Sequence, residues 1–279
     1  MATAEGITRR TLLRFSVSKA STAEDSLAQE EPLNIRLRTG HQSRSVAITM
    51  RTPGEDTALA LGFLFAEGIL TEPSAVLQVA EGAANERESR NTVTVTLATG
   101  VTIDWARLER HGYTSSSCGV CGKTSLEQVY TALPFGDLPG HWQIPAMMIP
   151  QLPPTLREAQ TLFTQTGGIH AAGLFDQDGH LLHFAEDVGR HNALDKLIGH
   201  YFQLNELPLR ERLLVLSGRA SFELIQKAAM AGISFVVAVG APSSLAVELA
   251  EEMGMTLCGF TREDTFNCYT GSARIASTG

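Results

Sequence analysis

The alternation of apolar and polar residues predicts an α+β region in the first half of the chain. Apolar and polar side chains alternate across residues 33–50, with a polar turn in the middle, which predicts a β-hairpin. An apolar stretch at 57–67, ended by Gly68, predicts a helix. Two further strands are predicted at 75–80 and 91–98. Strands and helices of this kind predict a small mixed sheet with a helix packed on it.

The second half has a different pattern, in which short apolar runs are separated by helical segments. Such runs between helices are typical of a sheet that is buried on both faces, so the predicted fold class is a layered α/β domain. The predicted helices cover 155–166, 192–202, 221–231 and 243–253, and the predicted strands cover 169–175, 181–185, 213–216, 234–239 and a pair around 256–270.

Composition changes along the chain suggest the domain boundaries. Residues 1–30 are polar and lack periodicity, which predicts a mobile N-terminal arm with one early strand around 12–17. Residues 134–154 hold six of the eleven prolines, which predicts a linker or a domain seam, and we assign a linker at 136–154. The resulting division is an arm at 1–30, an N-terminal α+β part with a Cys-x-x-Cys loop at 31–135, the Pro-rich linker at 136–154, an α/β domain at 155–271 and a tail at 272–279.

Composition and charge exclude several classes of protein. The 279 residues are 43% hydrophobic with a mean hydropathy near zero, which is ordinary for a globular chain and excludes global disorder. With 30 acidic and 22 basic residues the net charge is −8, which argues against a general nucleic-acid binder. No segment approaches the ~18–20 apolar residues of a membrane helix. Four cysteines are too few for a disulfide scaffold, and a reduced, cytoplasmic protein is predicted.

The sharpest local motif is Ser-Ser-Ser-Cys-Gly-Val-Cys-Gly-Lys at 115–123. Small residues leave the thiols of Cys118 and Cys121 accessible, and Lys123 and a following helix would favour the thiolate form of Cys121. These features are typical of a nucleophilic or persulfide-carrying cysteine, but they also fit two inert loop cysteines or a thioredoxin-type disulfide centre. A structural zinc site would need Cys258 and Cys268 to converge with the loop.

Two polar junctions between strands and helices are candidates for anion binding. The first carries Arg190 and His191 in the stretch Glu-Asp-Val-Gly-Arg-His-Asn at 186–192. The second carries Ser217 and Arg219 after the next predicted strand. Helix N-termini expose backbone amides to anions, although both junctions also fit simple helix caps by Asp187 and Ser221. Because both lie at strand ends that were expected to be neighbours, a shared pocket is predicted.

His170 follows two glycines and is by itself more typical of a satisfied loop or core histidine than of a ligand. The zinc deaminases have the pattern His-x-Glu followed by Pro-Cys-x-x-Cys. Here Ala172 occupies the glutamate position and the Cys-x-x-Cys comes before the histidine, so deaminase chemistry is excluded. Phosphate-loop, zinc-protease and α/β-hydrolase motifs are also missing from the sequence.

A series of short motifs follows in order over about residues 30–271. The motifs are Glu-Pro-Leu at 31–33, Thr-Pro-Gly at 52–54, Leu-Gly-Phe at 61–63, Glu-Gly-Ile at 67–69, Ser-Cys-Gly-Val-Cys-Gly at 117–122, Thr-Gly-Gly-Ile-His-Ala at 166–171, the stretch 186–192, Ser-Gly-Arg at 217–219, Lys227, Gly259-Phe260 and Tyr269-Thr270. Each motif is weak alone, but their order over this length is specific. The ordered set resembles the FdhD/NarQ family, the formate dehydrogenase accessory sulfurtransferases.

The resemblance implies a sulfurtransferase that passes persulfide sulfur from a cysteine desulfurase to the molybdenum cofactor, before this cofactor enters formate dehydrogenase. Cys118 matches the persulfide cysteine of the family and Cys121 an auxiliary thiol. The family's C-terminal part is similar in fold to cytidine deaminases, and its members are homodimers. The alternative is a non-catalytic chaperone for the same cofactor.

The transferred cofactor is expected in its bis-molybdopterin guanine dinucleotide form, which implies a pocket for nucleotide phosphates. In the family this pocket includes the loop after the last long strand, here residues 260–265, and the two basic junctions would add positive charge to it. The expected cofactor-binding residues are Arg190, His191, Ser217, Arg219, Phe260, Thr261, Arg262, Glu263, Asp264 and Thr265.

Overall fold

The computed structural model describes residues 6–82, 90–101, 103, 105, 134–136, 138 and 142–276. The strands are β1 (Ile7–Phe15), β2 (Ala20–Ala28), β3 (Glu31–Thr39), β4 (Gln42–Arg51), β5 (Val76–Glu81), β6 (Thr92–Leu97), β7 (Ile144–Pro145), β8 (His170–Phe175), β9 (Leu181–Asp187), β10 (Leu213–Leu216), β11 (Phe235–Ala238), β12 (Thr256–Arg262), β13 (Thr265–Thr270) and β14 (Ile275–Ala276). The α-helices are α1 (Asp56–Ala66), α2 (Leu152–Ala159), α3 (Thr161–Thr166), α4 (Arg190–Gln203), α5 (Phe222–Met230) and α6 (Ser244–Glu252), and 3-10 helices lie at Pro73–Ala75, Ala146–Gln151 and Ser272–Arg274.

The N-terminal half forms a four-stranded mixed sheet in the order β4-β3-β6-β5. Strands β3 and β4 are the predicted hairpin, and β3 pairs in parallel with β6. Alternate residues of β3 and β6 are fully buried under α1, because apolar positions with a period of two share one face of a strand. The predicted hairpin, helix and two strands are therefore confirmed to within a few residues.

The C-terminal half forms a six-stranded sheet in the order β13-β12-β11-β10-β8-β9. Strands β10, β11 and β12 are parallel to one another, whereas β8 is antiparallel to both of its neighbours, β9 and β10. The ends of β9, β10, β11 and β12 and the start of β8 consequently share one edge of the sheet. We call this edge the carboxyl edge.

Both faces of the six-stranded sheet are buried, as the apolar runs predicted. One face carries Leu174, Leu214 and Val236, which join the helices and the four-stranded sheet in one large hydrophobic cluster. The opposite face carries Val215 and Phe235 in a second cluster, which is closed by residues 142–156. The result is a mixed α/β fold with separate N-terminal and C-terminal sheets.

Helices α1 and α4 cross at the seam between the two sheets, and two glycines permit their close approach. A Cβ at Gly62 would overlap the carbonyl oxygen of Asp195, and a Cβ at Gly199 would overlap that of Ala58. Neither glycine has an unusual backbone angle, so the requirement is space alone. The two halves therefore share one core, with backbone packed directly on backbone.

The N-terminal arm was expected to lack regular structure apart from one early strand, and this expectation is wrong. Strands β1 and β2 pair along their whole length, from Ile7 opposite Ala28 to Phe15 opposite Ala20. Most side chains of this hairpin are exposed on both faces. A strand that buries neither face leaves no alternating apolar pattern, which explains why the pairing of β1 with β2 was not predicted.

The Pro-rich linker and the tail are also more ordered than expected. Trp142 and Ile149 are buried in the second cluster, so residues 142–154 form part of the C-terminal core. Proline is compatible with the first turn of α2, where the missing N–H has no helical partner in any case. In the tail, Ile275 in β14 pairs with Ile144 in β7. Within the described ranges, no helix is long and apolar enough to cross a bilayer.

Candidate functional site

The two predicted polar junctions lie on the carboxyl edge, but their strands are not direct neighbours. Strand β8 separates β9 from β10, and its first residue, His170, pairs with Asp187 at the end of β9. Ser217, directly after β10, accepts a hydrogen bond from the backbone N–H of Ala171 through its Oγ at 2.8 Å. The histidine that was treated as a loop or core residue therefore lies between the two junctions.

The helix starts at this edge meet through a polar contact between α4 and α5. His191 Nε2 lies 3.2 Å from Ser221 Oγ and 3.8 Å from Glu223 Oε2. Ser221 occupies the N-cap position of α5 but accepts no capping hydrogen bond, so the alternative that it is a simple helix cap does not hold. The hydrogen bond from His191 lowers the pKa of Glu223 to about 2. Glu223 is thus the acidic partner of His191, and the sequence analysis did not identify Glu223.

Positive charge accumulates around His170. Burial lowers the pKa of His170, and the nearby charges of Arg190, His191 and Arg219 lower it further, although Asp187 opposes them. Arg190 Nε is buried and has no hydrogen-bond partner within the described part of the chain. Arg219 is exposed at the same edge. A buried guanidinium nitrogen without a partner is costly, which favours an anionic ligand at this place.

Backbone hydrogen bonds join the ends of three parallel strands. The N–H of Gly240 donates to the carbonyl of Gly218 at 2.9 Å, and the N–H of Phe260 donates to the carbonyl of Gly240 at 3.1 Å. A Cβ at Gly240 would come within 3.1 Å of the backbone of Arg219. Glycine at 240 therefore allows the turn carrying Arg219 to lie against the end of β11, a requirement that the sequence analysis did not identify.

The segment 260–265 was expected to be a loop, and the structure corrects this. Phe260 to Arg262 belong to β12 and Thr265 to β13, and Arg262 pairs with Thr265 across a two-residue turn of Glu263 and Asp264. The exposed side chains here are those of Phe260, Arg262, Glu263, Asp264 and Thr265.

Thr261 differs from the rest of this hairpin because its side chain points inward. It is 2% exposed, and its Oγ1 has no hydrogen-bond partner among the described residues. Phe260 adopts a left-handed backbone with φ of 50° beside it, which is uncommon for a residue with a side chain. Local strain and an unpaired hydroxyl are both typical of binding segments.

The acidic residues of the first junction have structural partners, not ligand-binding geometry. Glu186 accepts hydrogen bonds from the N–H groups of Leu162 and Phe163, both at 2.9 Å, and so caps α3. Asp187 is fully buried, contacts Lys196 Nζ at 2.9 Å and accepts a hydrogen bond from the N–H of Thr52 at 3.1 Å. The alternative that Asp187 is the N-cap of α4 does not hold, because Gly189 occupies that position.

A second buried ion pair lies in the seam between the two sheets. Lys227 Nζ donates to both carboxylate oxygens of Asp195, at 2.8 and 3.0 Å, and lies 3.8 Å from Glu67 Oε1. Burial alone would lower the pKa of Lys227, but Asp195 and Glu67 outweigh it and the pKa is raised. Lys196 and Lys227 are therefore both paired inside the fold and are unavailable to a ligand.

Among the described residues, one cavity and one group of possible metal ligands are also candidate binding sites, and both are less suitable than the carboxyl edge. A cavity of about 370 Å³ lies beside α3. It is lined by Glu186, whose carboxylate accepts the backbone hydrogen bonds of α3, and by Lys196, which is paired with Asp187. Asp176, Asp178 and His180 come close enough to share an ion, but they are joined to one another within an exposed turn.

The carboxyl edge therefore brings together guanidinium, imidazole and hydroxyl groups. They are those of Arg190, Arg219, His170, His191 and Ser217, beside the turns that contain Gly218 and Gly240. Among the described residues, Arg190 Nε and Thr261 Oγ1 lack hydrogen-bond partners, and each is a group that can bind a phosphate oxygen. Cys118 and Cys121 lie outside the described residues. Cys258 and Cys268 lie opposite each other on β12 and β13 as free thiols.

Comparison with known proteins shows which proteins this chain is similar to. Residues 28–276 match the model of the FdhD/NarQ family. The chain is 49% identical to the sulfur carrier protein FdhD of Streptomyces coelicolor, over 96% of this chain and 95% of the relative. It is 45% identical to the sulfur carrier protein FdhD of Mycobacterium tuberculosis, over 95% of this chain and 97% of the relative.

A solved structure has the same fold. It is that of a proposed formate dehydrogenase accessory protein from Desulfotalea psychrophila, with a TM-score of 0.72 and 21% identity, covering 97% of this chain and 99% of that one. Sequence and fold therefore agree over nearly the whole length of the protein. The chain belongs to the FdhD/NarQ family.

Proposed function

We propose that this protein is a sulfur carrier that serves formate dehydrogenase. In this role it takes persulfide sulfur from a cysteine desulfurase and passes it to the molybdenum cofactor before the cofactor enters the enzyme. The observation that carries the proposal is the near-full-length match to relatives named as sulfur carrier proteins, at 49% and 45% identity. The cluster of positive groups at the carboxyl edge supports it, because the cofactor is an anion.

Cys118 is proposed as the residue that carries the sulfur. Its thiolate attacks the terminal sulfur of the donor persulfide, the sulfur–sulfur bond of the donor breaks, and the donor leaves as its own thiolate. Cys121 would assist as a second thiol three residues away. Although Lys123 favours the thiolate of Cys121, acceptance of sulfur also depends on access, which is why Cys118 is assigned the main role.

The carboxyl edge is proposed as the site for the guanine dinucleotide part of the cofactor. Arg190 and Arg219 would neutralise phosphate oxygens, with His191 and Ser217 beside them. The hairpin end 260–265 would contribute Thr261 Oγ1, Arg262 and backbone groups. The exposed carboxylates of Glu263 and Asp264 repel phosphate, so their place is at the rim of the site and not against the phosphates.

Mapping of persulfide tests the sulfur-carrying residue. The protein is incubated with a desulfurase and cysteine, and the added sulfur is located by mass spectrometry. Label on Cys118 supports the proposal, whereas label found only on Cys258 or Cys268 contradicts it. Cys118→Ser should abolish sulfur delivery, and the matched variant Cys121→Ser should retain a measurable part of it. The reverse behaviour would assign the role to Cys121.

A non-catalytic chaperone for the same cofactor is the alternative outcome of this test. A Cys118→Ala variant that restores full formate dehydrogenase activity in cells would favour the chaperone. The bis-molybdopterin guanine dinucleotide form of the cofactor, a homodimeric assembly, a cytoplasmic location and a similarity of the C-terminal half to cytidine deaminases are further parts of the proposal.

A further inference from the structure

A pair of thiols lies at the base of the hairpin whose tip is the segment 260–265. Cys258 in β12 and Cys268 in β13 are direct Cα partners in the antiparallel register. Residues directly opposite each other in antiparallel strands have Cα atoms about 4.5–5.5 Å apart, which falls within the range that a disulfide spans. The ladder is irregular on both sides of this pair, between 257 and 258 and between 259 and 262. The two sulfurs are therefore placed where a bond between them needs little movement of the backbone.

The two thiols have opposite environments. Cys258 is 0% exposed and packs in the second hydrophobic cluster, while Cys268 is exposed. Interaction with the Cys258 thiol lowers the pKa of Cys268 to about 7, and the same interaction, followed by burial, raises the pKa of Cys258. Cys268 Sγ also donates to the carbonyl of Thr270 at 3.2 Å. Thiol chemistry thus has an accessible thiolate on one strand and a protected thiol directly opposite it. This is the arrangement of an attacking and a resolving cysteine.

We propose that Cys268 and Cys258 form a thiol-modification site, in which Cys268 reacts with a low-molecular-weight disulfide and Cys258 then closes a cross-strand disulfide. In the first step the Cys268 thiolate attacks one sulfur of the disulfide, a mixed disulfide forms, and one small thiolate leaves. In the second step the Cys258 sulfur attacks Cys268 Sγ, and its proton goes to the second small thiolate as it leaves. The two protein thiols are oxidised and the small disulfide is reduced to two thiols.

The position of the pair gives the modification a structural consequence. Cys258 is two residues before Phe260, and Cys268 is three residues after Thr265. A bond here would hold together the two strands that carry the tip of the hairpin and would remove the charge of the Cys268 thiolate. The thiol chemistry does not depend on sulfur transfer, so it can be tested without any assay of the proposed function.

The test uses a full-length Cys118→Ser/Cys121→Ser variant, in which the pair provides the remaining two of the chain's four cysteines. The folded protein is treated with the coloured aromatic disulfide dithio-bis-nitrobenzoate. Closure of the pair should release about two equivalents of coloured thiol and leave no adduct on the protein. Intact mass should then be lower by two hydrogens, and a peptide linking Cys258 to Cys268 should appear after digestion without reductant.

The matched control adds Cys258→Ala to the same background. This variant should release about one equivalent of coloured thiol and keep the adduct on Cys268. The rate of this reaction near neutral pH should be lower by about tenfold than in the parent variant, since Cys268 loses the donor that favours its thiolate. Adding Cys268→Ala instead should leave buried Cys258 unreactive in the folded protein. The proposal is overturned if the parent variant keeps a stable adduct on Cys268, or if its disulfide joins two molecules.

Discussion

Helix α4 begins in one kind of charge environment and continues in another. Its first turn, with Arg190 and His191, lies at the carboxyl edge, where Arg190 Nε has no partner among the described residues. The next turns, with Asp195 and Lys196, lie in the seam between the two sheets, where the charges are buried and paired at 2.8–2.9 Å. The same helix therefore carries buried charges that the fold has paired and an arginine whose Nε has no partner among the described residues.

This difference separates residues that hold the two halves together from residues that await a ligand. A buried lysine opposite a buried aspartate contributes to the fold only as long as both are present. A guanidinium at a strand end without a protein partner contributes little to the stability of the fold and much to the affinity for an anion. Variants in the seam are consequently expected to change stability, and variants at the carboxyl edge to change ligand binding.

The largest effect is expected from breaking a seam pair. Lys227→Met leaves the carboxylate of Asp195, which is 2% exposed, without its main counter-charge. The free energy of unfolding should fall by about 3–5 kcal/mol, measured by urea unfolding followed by circular dichroism. The double variant Asp195→Leu/Lys227→Met should recover most of this loss, because it removes both charges. A single variant as stable as the parent would contradict the assignment of the seam.

A smaller effect, confined to binding, is expected at the carboxyl edge. Arg219→Ala should weaken the binding of guanosine diphosphate by about 1.5–3 kcal/mol, because a charge-assisted contact to phosphate is lost. Isothermal calorimetry measures the affinity, and unfolding of the same variant should be nearly unchanged. Arg38→Ala removes an exposed arginine from the four-stranded sheet and serves as the matched control. Equal affinity in both variants would mean that Arg219 does not meet the nucleotide.

The smallest effect is expected in the pH dependence of that binding. The pKa of His170 lies below its ordinary value of 6.5 because of burial and the nearby arginines, and a bound phosphate would raise it again. Binding should therefore take up protons, and affinity should rise about threefold as the pH falls from about 8 to about 6. The nucleotide titrates in the same way with the parent protein and with His170→Ala. The difference between their two profiles of affinity against pH therefore gives the contribution of the histidine. Identical pH profiles would remove His170 from the site.

Much of the C-terminal fold could be predicted because its strands are buried on both faces. Runs such as Leu213–Leu216 and Phe235–Ala238 leave little choice of structure between helices, and their bounds agree closely with the prediction. The β1–β2 hairpin was missed because its exposed faces carry no pattern. The segment 142–154 was misjudged because its prolines outweighed Trp142 and Ile149, which are buried against the sheet.

The sequence by itself determined the family, the class of fold and the polar junctions from which a site could be built, since these depend on local patterns and ordered motifs. Only the tertiary structure decided how these parts combine. Insertion of antiparallel β8 between β9 and β10 brought His170 into the cluster, and pairing with buried Lys196 took Asp187 out of it. Residues that are far apart in sequence become partners through strand order and burial, and a local pattern contains neither.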